Sequence, residues 1–312
     1  MRDVELTVEH GEMQWSAGTT WWRATRPLTP PASKRTPVVA IHGGPGFTHD
    51  YIRAFSELAA DGRTVYHYDQ IGGGRSTHFD AGNVPALDDE LFETELRQLV
   101  DHLGISDDFA LVGNSWGGML AAQFATTRPA GLRCVVISNS PASIPLWVAG
   151  IAELREEAAP EVRDVLAHHE DAGTTDSAEY IAAMDVFNRE HLCRAVPWPD
   201  DLWVSFAYID RDPTVYRVTL GPTDHVIVGT FKDWDITDRL GDITVPALVI
   251  RGRHDEATES AVKPFVELIP DATAVTFEQS SHTPHLEEPV DFFRVVGNFL
   301  RSHDWPFRAA VR

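Results

Sequence analysis

The stretch Phe109-Ala-Leu-Val-Gly113-Asn-Ser115-Trp-Gly117-Gly118 decides the fold. A short apolar run stops at Gly113, and small residues (Gly117, Gly118, Ala121, Ala122) follow Ser115. That order reads as a buried strand, a tight turn and a helix running to about Arg128. The turn itself matches Gly-x-Ser-x-Gly. In that arrangement a serine sits on a sharp, strained strand-to-helix elbow, with small residues letting strand and helix approach closely. The start of the helix then directs its dipole toward any negative charge that develops there.

Reading outward, the same alternation continues on both sides. Pro37-Val-Val-Ala-Ile41 is a continuous apolar run ended by His42-Gly-Gly-Pro-Gly46. A helix is expected near 50–60, a strand over 64–68, a helix over 87–103 and a strand over 134–137. After a long interval come strand 247–251, helix 259–269, strand 273–277 and helix 290–300. Short β-type runs at 4–8 and 19–24 open the chain, and a proline-rich segment, 26–37, reads as a loop. Continuous apolar strands alternating with helices predict a mostly parallel sheet covered on both faces. The expected class is α/β, with the α/β-hydrolase elbow at its centre. Residues 146–235 break the pattern: they are helical in character and rich in aromatics such as Trp147, Trp198, Trp203, Tyr216 and Phe231. The expected organisation is one core, 1–145 with 236–312, and a helical cap inserted at 146–235.

A serine hydroxyl near its free pKa is a poor nucleophile, so a base and an orienting acid are required. In this fold they follow in the order serine, acid, histidine. Asp255 follows strand 247–251, and His282 follows strand 273–277. Both lie beyond the C-terminal ends of strands, where α/β sheets place their sites. Glu256 and His285 are the neighbouring competitors, and His254 precedes Asp255. The loop His42–Gly46 occupies the position expected to give one oxyanion donor, assigned to the Gly44 N–H because Pro45 has none. The second is the N–H of Trp116. Isolated His-x-x-His spacing is too little for a metal site, so none is expected.

Composition narrows the classes further. The 312 residues are 43% hydrophobic, with 26 Lys and Arg against 47 Asp and Glu, a formal net charge of -21. The acidity argues against nucleic acid and against anionic membrane surfaces as partners. Two cysteines, Cys134 and Cys193, cannot build a disulfide framework. No signal-peptide pattern or apolar span is visible, so the expected compartment is the cytoplasm. The oligomeric state is left open.

From Val38 to Pro289 the sequence resembles the proline iminopeptidases among the α/β-hydrolases. The residues that carry the likeness are His42–Gly46, Tyr68-Asp-Gln-Ile-Gly-Gly-Gly-Arg-Ser76, Gly113–Gly118, Phe187-Asn-Arg-Glu-His-Leu-Cys-Arg194 and Gly221-Pro-Thr-Asp224 through Lys232-Asp-Trp-Asp235. The resemblance implies a triad of Ser115, Asp255 and His282, a helical cap, no cofactor, and release of an N-terminal residue, often proline, from a small peptide or amino acid amide. It also implies that Asp224 and Glu256 hold the substrate's free α-ammonium. Two positions depart from the pattern: Asp224 stands where the family usually has Glu, and Ile71 where it usually has Arg. An alternative reading is therefore an amidase or esterase for a cyclic peptide or xenobiotic without a free amine. A more remote one is a ligand-binding protein without turnover.

Overall fold

The computed structural model describes residues 4–29, 34–79 and 84–304. Strands Leu6–Trp15 (β1) and Gly18–Pro27 (β2) form a hairpin paired along ten residues each. The two opening β runs are thus longer than their sequence suggested, because each extends as far as its partner continues. Part of the loop expected over 26–37 (residues 30–33) lies outside the described residues. Strands Val38–Ile41 (β3), Val65–Tyr68 (β4), Phe109–Asn114 (β5), Leu132–Ser138 (β6), Ala247–Gly252 (β7) and Ala272–Phe277 (β8) complete one sheet. Its order is β1-β2-β4-β3-β5-β6-β7-β8. The pairs from β4 to β8 are parallel, and only the β1–β2 and β2–β4 pairs are antiparallel.

The apolar strands are continuous because both faces of the sheet are covered. Val39, Ile41, Leu111, Val135, Ile137 and Val249 point to one face, and their neighbours Val38, Ala40, Ala110, Val112, Val136 and Leu248 to the other. On the first face pack helices Asp89–His102 (α1) and Trp116–Thr126 (α2) through Leu96, Leu99, Leu120 and Phe124. On the second, a 3₁₀ helix, His49–Asp61, supplies Ile52 and Phe55. Thr48 caps that helix and Gly62 closes it at a φ of 105°. Removing each such aliphatic or aromatic side chain from water contributes roughly 1.5–3 kcal/mol.

Between β6 and β7 the chain forms helices Ile144–Glu157 (α3), Pro160–Ala172 (α4), Ala178–His191 (α5), Asp200–Arg211 (α6) and Thr214–Thr219 (α7). After β7 come Glu259–Leu268 (α8), Pro284–Glu287 (α9) and Pro289–Ser302 (α10). Helix α10 lays Phe292, Val296 and Leu300, one stripe at four-residue spacing, on the second face. The register aligns the strand ends: Ile41 pairs with Gly113, Asn114 with Ser138, Ser138 with Ile250, and Gly252 with Phe277. The loops that leave these ends therefore meet at one edge of the sheet.

At the elbow, close packing decides the residue types. A Cβ on Gly113 would lie 2.1 Å from the Gly117 carbonyl oxygen, and one on Gly117 would lie 2.0 Å from that of Ile41. Only glycine permits helix α2 to start this close to β3 and β5.

Candidate active site

Ser115 joins β5 to α2 with φ 58° and ψ −130°, a conformation that costs a non-glycine residue on the order of 1–3 kcal/mol. The surroundings hold it there. Its N–H donates to the Ser138 carbonyl (2.9 Å), and its own carbonyl accepts from the Gly118 N–H (2.9 Å) and the Ser140 hydroxyl (2.7 Å). The strain turns the hydroxyl outward to a cavity.

That cavity has two lobes that meet at Ser115, Gly44 and Phe47. The larger encloses about 480 Å³ including its mouth and is lined by Trp116, Trp147, Tyr216, Ile227, Phe231 and Asp224, among others. The smaller, about 330 Å³, is lined by Tyr51, Leu192, Leu202, Phe206 and His282. Helices α3, α6 and α7 of the segment between β6 and β7 thus contribute the apolar walls. Ser115 and His282, far apart in sequence, both face the smaller lobe.

His282 Nδ1 lies 2.7 Å from Asp255 Oδ1. Asp255 is itself fixed: Oδ2 accepts from Asn139 Nδ2 (2.6 Å) and Oδ1 from the Ala257 N–H (2.9 Å). The carboxylate places the ring's proton on Nδ1, which leaves Nε2 for the reacting side. The main chain of His282 is clamped between the His191 carbonyl (3.1 Å) and Asn114 Nδ2 (3.2 Å). Burial alone would lower its pKa, but Asp255 and then Glu256 override this and hold it up at about 9.

Glu256 is only 2% exposed. Its Oε1 is 3.7 Å from His282 Nε2, and its Oε2 has no hydrogen-bond partner. Asp224 has no ion pair among the described residues; the Arg155 guanidinium near it is committed to Glu170 at 2.7 Å. Burial raises the pKa of both Asp224 and Glu256, Glu256 far above the usual carboxylate range. Both carboxylates act on the same Tyr216 hydroxyl and on His282, so they face a common space. Among the described residues, half-buried Asp224 thus has no ion pair and buried Glu256 has only His282 beside it.

The Gly44 and Trp116 N–H groups have no protein acceptor among the described residues, and Gly44 has a φ of 109°. A Cβ on Gly43 would lie 2.8 Å from the Ser115 Cβ, which shows how tightly the loop is set against the elbow. Two features that the sequence did not reveal hold this loop. Tyr51 accepts from the Gly43 N–H (2.7 Å) and donates to Asn114 Oδ1 (2.9 Å). Gln70 donates to the His42 carbonyl (2.9 Å) and accepts from the Trp116 indole (2.8 Å). His285, a sequence competitor, is instead buried with Nε2 at 3.0 Å from the Tyr51 carbonyl. Cys134 and Cys193 are buried and unpaired, and burial pushes the Cys134 thiol up to about 12. Among the described residues there is no group of three or more His, Cys, Asp or Glu able to hold a metal ion, and no helix long and apolar enough to cross a membrane.

Residues 36–289 match the alpha/beta hydrolase fold family. The proline iminopeptidase of Heyndrickxia coagulans is 34% identical over 270 residues, covering 86% of this chain and 91% of that protein. The chain belongs to the proline iminopeptidase branch of the α/β hydrolases. Among solved structures, the proline iminopeptidase of Mycobacterium smegmatis superposes with a TM-score of 0.88 at 41% identity over 95% of this chain and 98% of that one. The crystal structure of VinJ gives 0.91 at 46% identity over 95% and 99%. The resemblance read from the elbow, the glycine-proline loop and the Lys-Asp-Trp segment is thus borne out at the level of family and fold. This member of the family is a hydrolase.

Proposed function

We propose that this hydrolase is a serine aminopeptidase or amidase that removes an N-terminal amino acid, proline favoured, from small peptides or amino acid amides. One observation carries the reading: the carboxyl groups of half-buried Asp224 and buried Glu256, neither in an ion pair with Lys or Arg among the described residues, beside Ser115 and the His282–Asp255 pair. A free α-ammonium is the group on a substrate that would satisfy both while its carbonyl lies over Ser115.

In this mechanism Ser115 Oγ attacks the carbonyl carbon and His282 Nε2 takes its proton. Asp255 keeps the ring oriented and stabilises the imidazolium. The oxyanion is received by the N–H groups of Gly44 and Trp116, each worth on the order of 10²–10³ in kcat. His282 then gives its proton to the leaving amine, and water, activated by the same base, hydrolyses the acyl-enzyme. Residues 146–235 form a cap whose aromatic side chains, Trp147, Tyr216 and Phe231 among them, line the space around the acyl group. Asp224 is one methylene shorter than the glutamate usual in the family, so the ammonium sits nearer the Asp224 backbone or binds it through a water.

The test compares L-prolyl, L-alanyl and L-leucyl anilides, each with a free and an N-acetylated amine, using Ser115→Ala as control. Hydrolysis confined to free amines, and lost in Ser115→Ala, supports the reading. Equal hydrolysis of the blocked forms contradicts it in favour of an amidase or esterase that ignores the amine.

A further inference from the structure

The atom that must accept the Ser115 proton has a second carboxyl group beside it in the resting site. The carboxylate of Glu256 stands 3.7 Å from His282 Nε2, with no other hydrogen-bond or ion-pair partner for its buried head among the described residues. A histidine with Asp255 on Nδ1 and Glu256 by Nε2 is flanked by carboxylates at both nitrogens. We infer that Glu256 keeps a proton on the His282–Glu256 pair in the empty enzyme, and that a substrate's ammonium, by taking the Glu256 carboxylate, releases Nε2 to act as base. The inference rests on the ammonium reading of the previous subsection and adds to it a second task for the same carboxylate: Glu256 selects the amine and, as a positioning residue for the proton, makes the amine a condition of chemistry.

The balance is simple. The resting pair holds one proton between Nε2 and the carboxylate, and the two groups titrate together. The ammonium arrives with its own three hydrogens and pairs with Glu256. The pair's proton leaves to solvent. Neutral Nε2 then takes the hydroxyl proton as the Ser115 Oγ–carbonyl bond forms. A blocked substrate brings no positive charge, so His282 stays loaded and kcat falls as well as affinity.

The other groups around the ring leave Glu256 as the adjustable partner. Asp255 is fixed by Asn139 and the Ala257 N–H. Asp224, from the segment between β6 and β7, acts on His282 more weakly than Glu256 does. Trp147 meets the ring edge-on at 5.9 Å and carries no charge. His285 is held neutral by burial, its pKa lowered to about 3, and adds none either.

The experiment is the pH profile of Ser115 labelling by a fluorophosphonate, a reagent without an amine, on the wild type, Glu256→Gln and Glu256→Asp. A carboxylate this close typically shifts a neighbour's pKa by about 1–3, so Glu256→Gln is expected to label roughly 10- to 100-fold faster at pH 7. The same variant is expected to hydrolyse the free-amine prolyl anilide more slowly, so the two activities move in opposite directions. Glu256→Asp, which keeps the charge, retains the alkaline labelling profile. Saturating pyrrolidine, an ammonium without an acyl group, speeds wild-type labelling and leaves Glu256→Gln unchanged. An unchanged labelling profile in Glu256→Gln overturns the inference, even if its anilide activity falls. Slower labelling at every pH, with a lowered melting temperature that Glu256→Asp does not restore, assigns Glu256 a merely structural role and also overturns it. If the wild type cleaves blocked and free amides alike while the labelling shift persists, the ammonium reading fails and the Glu256–His282 coupling stands.

Discussion

Tyr51→Phe removes one oxygen and nearly no volume, and that oxygen ties three parts of the site together. In the native protein it accepts from the Gly43 N–H at 2.7 Å and donates to Asn114 Oδ1 at 2.9 Å, and Asn114 in turn holds the His282 carbonyl at 3.2 Å. Burial raises the Tyr51 pKa, so the hydroxyl keeps its proton and its role as donor. Phenylalanine would leave a buried donor and a buried acceptor unpaired, each costing about 1–3 kcal/mol. The expected loss is therefore at least about 2 kcal/mol, seen as a lower urea midpoint at unchanged slope. The glycine loop would also lose its anchor beside Ser115. A displacement approaching 1 Å there costs on the order of 10² in rate, so kcat on prolyl anilide should fall by 10-fold or more with a smaller change in KM. A stability loss under about 0.5 kcal/mol together with unaltered kcat would refute the claim that Tyr51 holds the oxyanion loop.

Other outcomes follow from the same geometry. Asp255→Asn keeps the size of the side chain but removes the charge on Nδ1, and kcat should fall on the order of 10³–10⁴ while thermal melting confirms a folded protein. Gly117→Ala puts a Cβ 2.0 Å from the Ile41 carbonyl, so denaturant titration should show a loss of about 3 kcal/mol or no folded protein at all. Glu95 is fully buried, accepts from Thr20 and the Ile71 N–H, and is raised by burial to about 8. Its folded pKa exceeds the ordinary 4.5, so the folded state holds the proton longer. The stability this group contributes is complete below about 4.5 and is lost as pH rises to about 8, by at most about 1.4 kcal/mol per pH unit. Unfolding titrations should show Glu95→Gln declining less over that window than the wild type; parallel curves would contradict the assignment.

The elbow and strand pattern were legible because the physics is local. Continuous apolar runs report burial on both faces, and Gly113 and Gly117 report a backbone approach that no other residue allows. The pairing of Asp255 with His282, at 2.7 Å in the structure, was legible because both follow strand ends marked by Gly and polar clusters. What stayed hidden depends on distant partners. Nothing near Tyr51 in sequence announces a bond to Gly43 and Asn114, and nothing near Asn139 announces the Asp255 carboxylate, since the sheet register brings them together. The helix expected near 50–60 is a 3₁₀ helix over His49–Asp61, a difference of one residue in hydrogen-bond spacing that periodicity does not resolve. The hairpin β1–β2 outgrew its apolar runs because cross-strand pairing extends through residues with weak individual preference. The orphaned carboxylate at Glu256 is visible only once burial and distance to His282 are known.

The most direct test of the account is acid-quench mass spectrometry during turnover of L-prolyl p-nitrophenyl ester, a substrate whose leaving group makes deacylation limiting. The account predicts a prolyl group on the peptide that carries Ser115, absent in Ser115→Ala and much reduced when the amine is acetylated. A prolyl group on another residue, or full turnover with no adduct on Ser115, would contradict it.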